Sequence, residues 1–238
     1  MSNPLRIALV AEGATEREVI EAALKVILAP RSFVLTQLQP EATKPDMGSG
    51  WGGVLKWCHQ LAERCQVVGQ LVEADPTLSN FDGVVLQLDA DVATFAYSQL
   101  GLALTDAEAA ARGWLPLPRA TACPPAPLPQ DPLFTVLLSW LSPATPGAKT
   151  VVCIPAMNTG AWQAAAKLPA GHALLVDLEC RADIEDRLRL LPLALRVDKR
   201  KRESRLNAAA AVTQHWATVT ALCSRAHAFD QAIRTAFP

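Results

Sequence analysis

The chain has 238 residues, 50% hydrophobic and 19% charged, with 22 basic side chains against 23 acidic ones. That balance excludes a disordered tail, a collagenous repeat and a highly basic DNA-coating protein, while a net charge of −1 still permits a local basic patch. At roughly 100–200 residues per domain one elaborated domain is favoured over two equal ones. No run reaches the roughly 18 apolar residues of a membrane helix, and the first residues lack a signal-peptide pattern, so no membrane association and a cytoplasmic location are expected.

In chain order, residues 5–11 form an apolar run ending in Glu12-Gly13, which predicts a buried parallel strand. Thr15 with Glu18 three residues on is a capping-box pattern, and Val19, Ile20, Ala23, Leu24 and Ile27 then recur at helical spacing until Pro30. Residues 32–38 alternate and predict a second strand. Residues 40–53 read as a loop with Gly50, Gly52 and Gly53 close together. No Gly-Lys-Ser/Thr follows, so it is not a Walker loop, and its Trp51 is expected to fold onto the core, with stacking on a base as the alternative. Residues 54–65 have one apolar face and predict a helix.

Phe81-Asp82-Gly83 makes a turn into residues 84–88, a strong buried strand that ends in Asp89-Ala90-Asp91. Seven prolines between Pro116 and Pro132 mark residues 102–132 as an irregular insertion. Residues 133–141 predict a helix, 149–155 a third strong strand, 158–167 a helix with Thr159 as its cap, and 173–176 a weak further strand. Beyond them come a charged helix over 183–191, an alanine-rich helix over 206–223 and a final short helix. The six cysteines form no C-x-x-C pair, and Cys153 and Cys180 lie in apolar runs and read as buried thiols. His215 and His227 read as helix-packing or surface residues.

Strands alternating with helices predict an α/β fold, a parallel sheet flanked by helices over about residues 1–180. Residues 181–238 are expected to form a helical C-terminal extension packed on it. In such sheets ligands collect outside the carboxyl ends of the strands. Glu12 ends the first strand, and Asp89 and Asp91 end a later one. If those strands are neighbours, three carboxylates converge and repel one another unless a cation relieves them. Magnesium, or manganese, suits oxygen ligands of this kind, with Asp89 and Asp91 as ligands and Glu12 as a second-ion ligand or general base. Gly13 is expected to let the backbone turn sharply towards a phosphate, and the helix start at Thr15 to offer free amides. Glu16 and Glu18 read as part of the cap and first helical turn. Residues 196–205 hold six basic and two acidic side chains. Arg196, Arg200, Arg202 and Arg205 are either a solvated helix end or a contact for the phosphate backbone of a nucleic acid.

The pattern Glu12-Gly13-x-Thr15-Glu16 after a first strand, with Asp89-x-Asp91 after a later one, resembles the TOPRIM domain over about residues 5–155. That domain occurs in topoisomerases, bacterial primases, OLD-family nucleases and small stand-alone bacterial proteins, and the chain is most similar to the last of these. The resemblance implies a Rossmann-like sheet in which Glu12, Asp89 and Asp91 bind magnesium and work on phosphodiesters. The segment from Ile154 to Trp162 resembles a post-strand segment of the stand-alone proteins, but Thr159-Gly160-Ala161 stands where an acid usually precedes the tryptophan. OLD-like nucleases use a lysine late in the domain, a part open to Lys199 or Lys201. The implied function is a magnesium-dependent nuclease, in defence against phage or mobile elements and with a protein partner in a defence complex. The alternative is a non-catalytic TOPRIM-like subunit that binds metal, nucleotide or nucleic acid in a larger assembly.

Overall fold

A computed structural model describes residues 3–41, 43, 45–65, 67–100 and 104–238. Four strands, β1 (Leu5–Val10), β2 (Phe33–Gln39), β3 (Gly83–Gln87) and β4 (Thr150–Cys153), form one open parallel sheet in the order β2-β1-β3-β4. Among the described residues the helices are α1 (Ala14–Ile27), α2 (Gly50–Arg64), α3 (Asp106–Ala111), α4 (Pro132–Leu141), α5 (Gly160–Lys167), α6 (Ile184–Leu190), α7 (Arg202–Gln214), α8 (Trp216–Leu222) and α9 (Ser224–Ala236). None of them is long and apolar enough to cross a membrane.

β1, β3 and β4 read as apolar runs because both faces of the sheet are covered there, whereas the edge strand β2 alternates and is half-exposed. Alternate residues serve opposite sides. Ile7, Leu9, Val85, Val151 and Cys153 join α1, α5 and the C-terminal helices in one hydrophobic cluster. Ala8, Val10, Val84, Leu86 and Val152 join α2 and α4 in the other. Each aliphatic side chain buried there contributes about 1.5–3 kcal/mol. The C-terminal region is thus part of the main core: α7 packs on α1 and α5, and α9 packs on β4.

From β1 the chain passes through α1, on one face, to β2; it then returns through α2, on the other face, to β3 on the far side of β1. The carboxyl ends of β1 and β3 therefore flank a topological switch point, where doubly wound sheets leave a crevice.

Several local expectations are corrected. The glycines at 50–53 lie in the first turn of α2 rather than in a loop. A Cβ on Gly52 would stand 2.6 Å from Leu100, and one on Gly53 would collide with the Gln39 amide, so both allow close packing. Trp51 does fold onto the core, stacked on Phe95 and Trp140. The Thr15–Glu18 capping box does not form; α1 starts from Gly13 without a side-chain cap, and Glu18 pairs with Arg205 instead. A capping box does form at Thr105 and Glu108, before α3. Residues 173–176 are no strand: Ala173–Leu175 is a short 3-10 turn, closed by the His172 Nδ1 accepting the Leu174 N–H. The proline-rich insertion holds α3 and buries Trp114 and Leu117, and its residues 102 and 103 lie outside the described residues. Cys180 is not a free thiol; it is disulfide-bonded to Cys123 in that insertion, whereas Cys153 is buried and free.

Candidate functional site

Glu12 stands where the chain leaves β1, and Asp89 where it leaves β3. The adjacency of the two strands brings them into direct contact. The Glu12 carboxylate accepts the Asp89 backbone N–H at 2.7 Å, and the Glu12 N–H donates to the Gln87 side chain at 3.0 Å. Gln87 turns its amide back to the Asp89 carboxylate, 2.7 Å away. The N-terminus of α2 closes the site behind Glu12: Gly50, at φ +68°, donates its N–H to the Glu12 carbonyl at 2.8 Å. This is the part the glycine-rich segment plays.

Asp91 lies one turn further on. Its N–H donates to the carbonyl of Met157, and the Ala90 N–H to that of Pro155, so the segment after β4 runs beside the two aspartates. Met157 holds a left-handed backbone, φ 57°, which non-glycine residues adopt only when their surroundings enforce it. Asn158, buried beside it, favours the charged form of Asp91.

Two further carboxylates complete the cluster. Glu16 is buried in the first turn of α1, and a Cβ on Gly13 would lie 2.9 Å from its Oε2. Gly13 itself is extended (φ −167°), so it is not the sharp turn expected of it; its smallness makes room for Glu16. Glu185 comes from α6, which approaches over Gly160, where a Cβ would lie 2.7 Å from the Glu185 Cγ. Glu185 thus brings an acid beside the segment that leads to Trp162.

The electrostatics follow from crowding in a dry place. Burial pushes Glu12 up to about 8; the Asp89 N–H opposes that in part, and Asp91 and Glu16 push further. Asp89 is raised well above its ordinary value by burial, then by Glu12 and Glu16. Asp91 rises to about 6 through burial and Glu185, moderated by Lys199 and Asn158. Glu16 is raised chiefly by burial. Lys199 answers this charge: burial works against its ammonium, but the ion pair with Glu185 and the nearby Glu16 and Asp89 outweigh it.

The basic residues divide. Lys199 joins the cluster, while Lys201 is exposed at the start of α7. Arg205 is taken up by Glu18 and the Lys199 carbonyl, and Arg196 by the Leu191 carbonyl. Arg200 and Arg202 are exposed, with no ion-pair partner among the described residues. Thr15 is buried in the first turn of α1.

Every charged donor in the cluster is a carboxylate oxygen, the chemistry a hard divalent cation prefers. Among the described residues no three histidine, cysteine or carboxylate side chains are placed to hold one ion together. The donors therefore fit a site of one or two carboxylates completed by waters and phosphate, as magnesium often uses, rather than a closed protein cage. Sequence reasoning passed over Gln87, Asn158 and Glu185 and gave Glu16 only a capping part. Gln87 carried a signal, a polar residue inside an apolar strand two positions before Asp89.

No family model, no curated protein and no solved structure matches the chain.

Proposed function

We propose that the chain is a TOPRIM-type, magnesium- or manganese-dependent phosphodiesterase acting on nucleic acid, most simply a nuclease. The observation that carries this reading is the contact between the Glu12 carboxylate and the Asp89 backbone at the switch point of the sheet. It sits within a group of carboxylates that, among the described residues, no arginine neutralises and only Lys199 approaches. Asp89 and Asp91 would hold the ion, which when bound stabilises charge on a phosphate and activates water. Glu12, which meets Asp89 at the ends of β1 and β3, would take a proton from an attacking water once a bound cation favours its charged form. Arg200, Lys201 and Arg202 offer exposed cations to the nucleic-acid backbone. Service in phage or mobile-element defence rests on the family resemblance alone.

One observation favours the non-catalytic alternative, a TOPRIM-like subunit of a larger complex: the Asp89 carboxylate is held by Gln87, and no three ligands converge. A plasmid-nicking assay with magnesium or manganese, paired with calorimetric metal titration, separates the two. The enzymatic reading expects nicking by the wild type and none by Asp89→Ala, with circular dichroism unchanged. Metal binding without nicking supports the subunit; equal nicking by both proteins defeats the site assignment.

A further inference from the structure

Beside Asp91, a cavity of about 210 Å³ opens between α5, α6 and the segment leading into α7. Asn158 and Gln163 line one part of it, Leu188 and Val197 give it apolar wall, and Arg189, Lys199 and Arg200 stand around it. Gln163 is 2% exposed, yet its Nε2 has no hydrogen-bond partner. A buried amide donor left unpaired costs about 1–3 kcal/mol, and in a native structure such a group calls for an explanation. Gln163 lines the cavity, so an acceptor on a bound ligand would satisfy it. The charges are also unevenly used: Lys199 pairs with Glu185 and Arg189 with Asp186, but Arg200 has no ion-pair partner among the described residues.

We propose that this cavity is a subsite for a single nucleotide unit, the base edge meeting the Gln163 amide and the phosphate meeting Arg200. Apolar walls with a few placed polar groups are the usual make-up of a small-molecule site. Glutamine amides pair with base edges, and guanidinium groups with phosphate. The cavity is contiguous with the acidic cluster through Asp91 and Glu185, so a nucleotide bound there lies next to the proposed metal site. The inference names the substrate class of that site and rests on the phosphodiester reading for its biological sense, but its test uses neither cleavage nor metal.

The four nucleoside monophosphates, a nucleoside, inorganic phosphate and a short single-stranded oligonucleotide are titrated calorimetrically into the full chain in the presence of a chelator. The expected result is saturable binding of at least one monophosphate. Arg200→Gln should weaken the monophosphate and inorganic phosphate about tenfold, and Gln163→Leu should weaken the monophosphate about tenfold while leaving phosphate unchanged. Stronger binding of the oligonucleotide points to a strand end as the natural occupant, and stronger binding of the monophosphate to a free nucleotide. Absence of saturable binding, or binding indifferent to both substitutions, overturns the subsite. Arg200 is on the surface, so its variant keeps the test decisive if Gln163→Leu fails to fold. Metal-dependent nicking without monophosphate binding would sink the subsite and spare the nuclease; monophosphate binding without nicking would do the reverse.

Discussion

Two groups of carboxylates in this molecule have opposite surroundings. Before β3, Glu73 accepts the backbone N–H groups of Gly147 and Lys149 and the Thr150 hydroxyl, and Asp75 accepts from Thr77 and Arg64. Burial works against their charge, but these donors outweigh it and hold both carboxyls below their ordinary values. At the carboxyl ends of β1 and β3, Glu12, Asp89, Asp91 and Glu16 are raised, because burial and mutual repulsion exceed the few donors they find. Glu73 ties the loop after α2 to the start of β4, and Asp75 ties that loop back to α2. The second group works against folding at neutral pH, which agrees with the proposed metal chemistry.

The comparison breaks most sharply under substitution. Asp91→Asn, assayed by metal-dependent nicking, should lose about 100-fold or more of activity, while Glu73→Gln should leave it within a few-fold. Stability should respond in the opposite sense. Glu73→Ala should cost about 2 kcal/mol in denaturant unfolding, allowing for its partial exposure, because three donors lose their acceptor. Asp89→Asn in metal-free protein should instead raise stability by about 1 kcal/mol, or about 2–4 °C in thermal midpoint, since it removes a repelled buried charge and keeps an acceptor for Gln87. A loss of stability in that variant would mean that the cluster is a satisfied structural network.

Titration sharpens the contrast further. The raised carboxyls hold protons in the folded chain that the unfolded chain has released. Their contribution is therefore most favourable below the ordinary carboxylate range, and it declines as pH rises through about 6 for Asp91 and about 8 for Glu12. Glu73 and Asp75 have lowered values, so their stabilisation is complete above the ordinary range and is lost as pH falls through the depressed folded values. Thermal midpoints of metal-free protein should fall from pH 5 to pH 8, and Asp89→Asn should flatten that fall. The smallest expected effect is on nucleic-acid binding: removing Arg200 or Arg202 should lower the salt dependence by about one unit of slope each, and Arg205→Ala, which breaks an internal pair, should leave it unchanged.

What the residues alone disclosed, and what they hid, follows the range of the interactions. β1 and β3 showed themselves as apolar runs bounded by acids and glycine, and the alternation of strand and helix was enough for a parallel sheet. The meeting of Glu12 with Asp89 was conditional on strand order, which no local pattern encodes. Glu16 was visible as an acid four residues after Glu12, but its burial against Gly13 was not. Glu185 reaches the cluster only because α6 crosses Gly160, and Arg205 is occupied only because α7 packs on α1; both depend on tertiary contacts between distant segments. The glycines at 50–53 misled because glycine usually signals a turn, whereas here two of them admit close neighbours within a helix.

The proposed function requires Asp89 and Asp91 to hold a divalent ion beside Glu12. Anomalous diffraction from crystals of the full chain soaked in manganese tests it most directly. The account predicts a peak within coordinating reach of Asp89 and Asp91, beside Glu12, that is missing from Asp89→Asn crystals. A soaked wild-type crystal with no peak there, or with manganese bound only elsewhere, would contradict it.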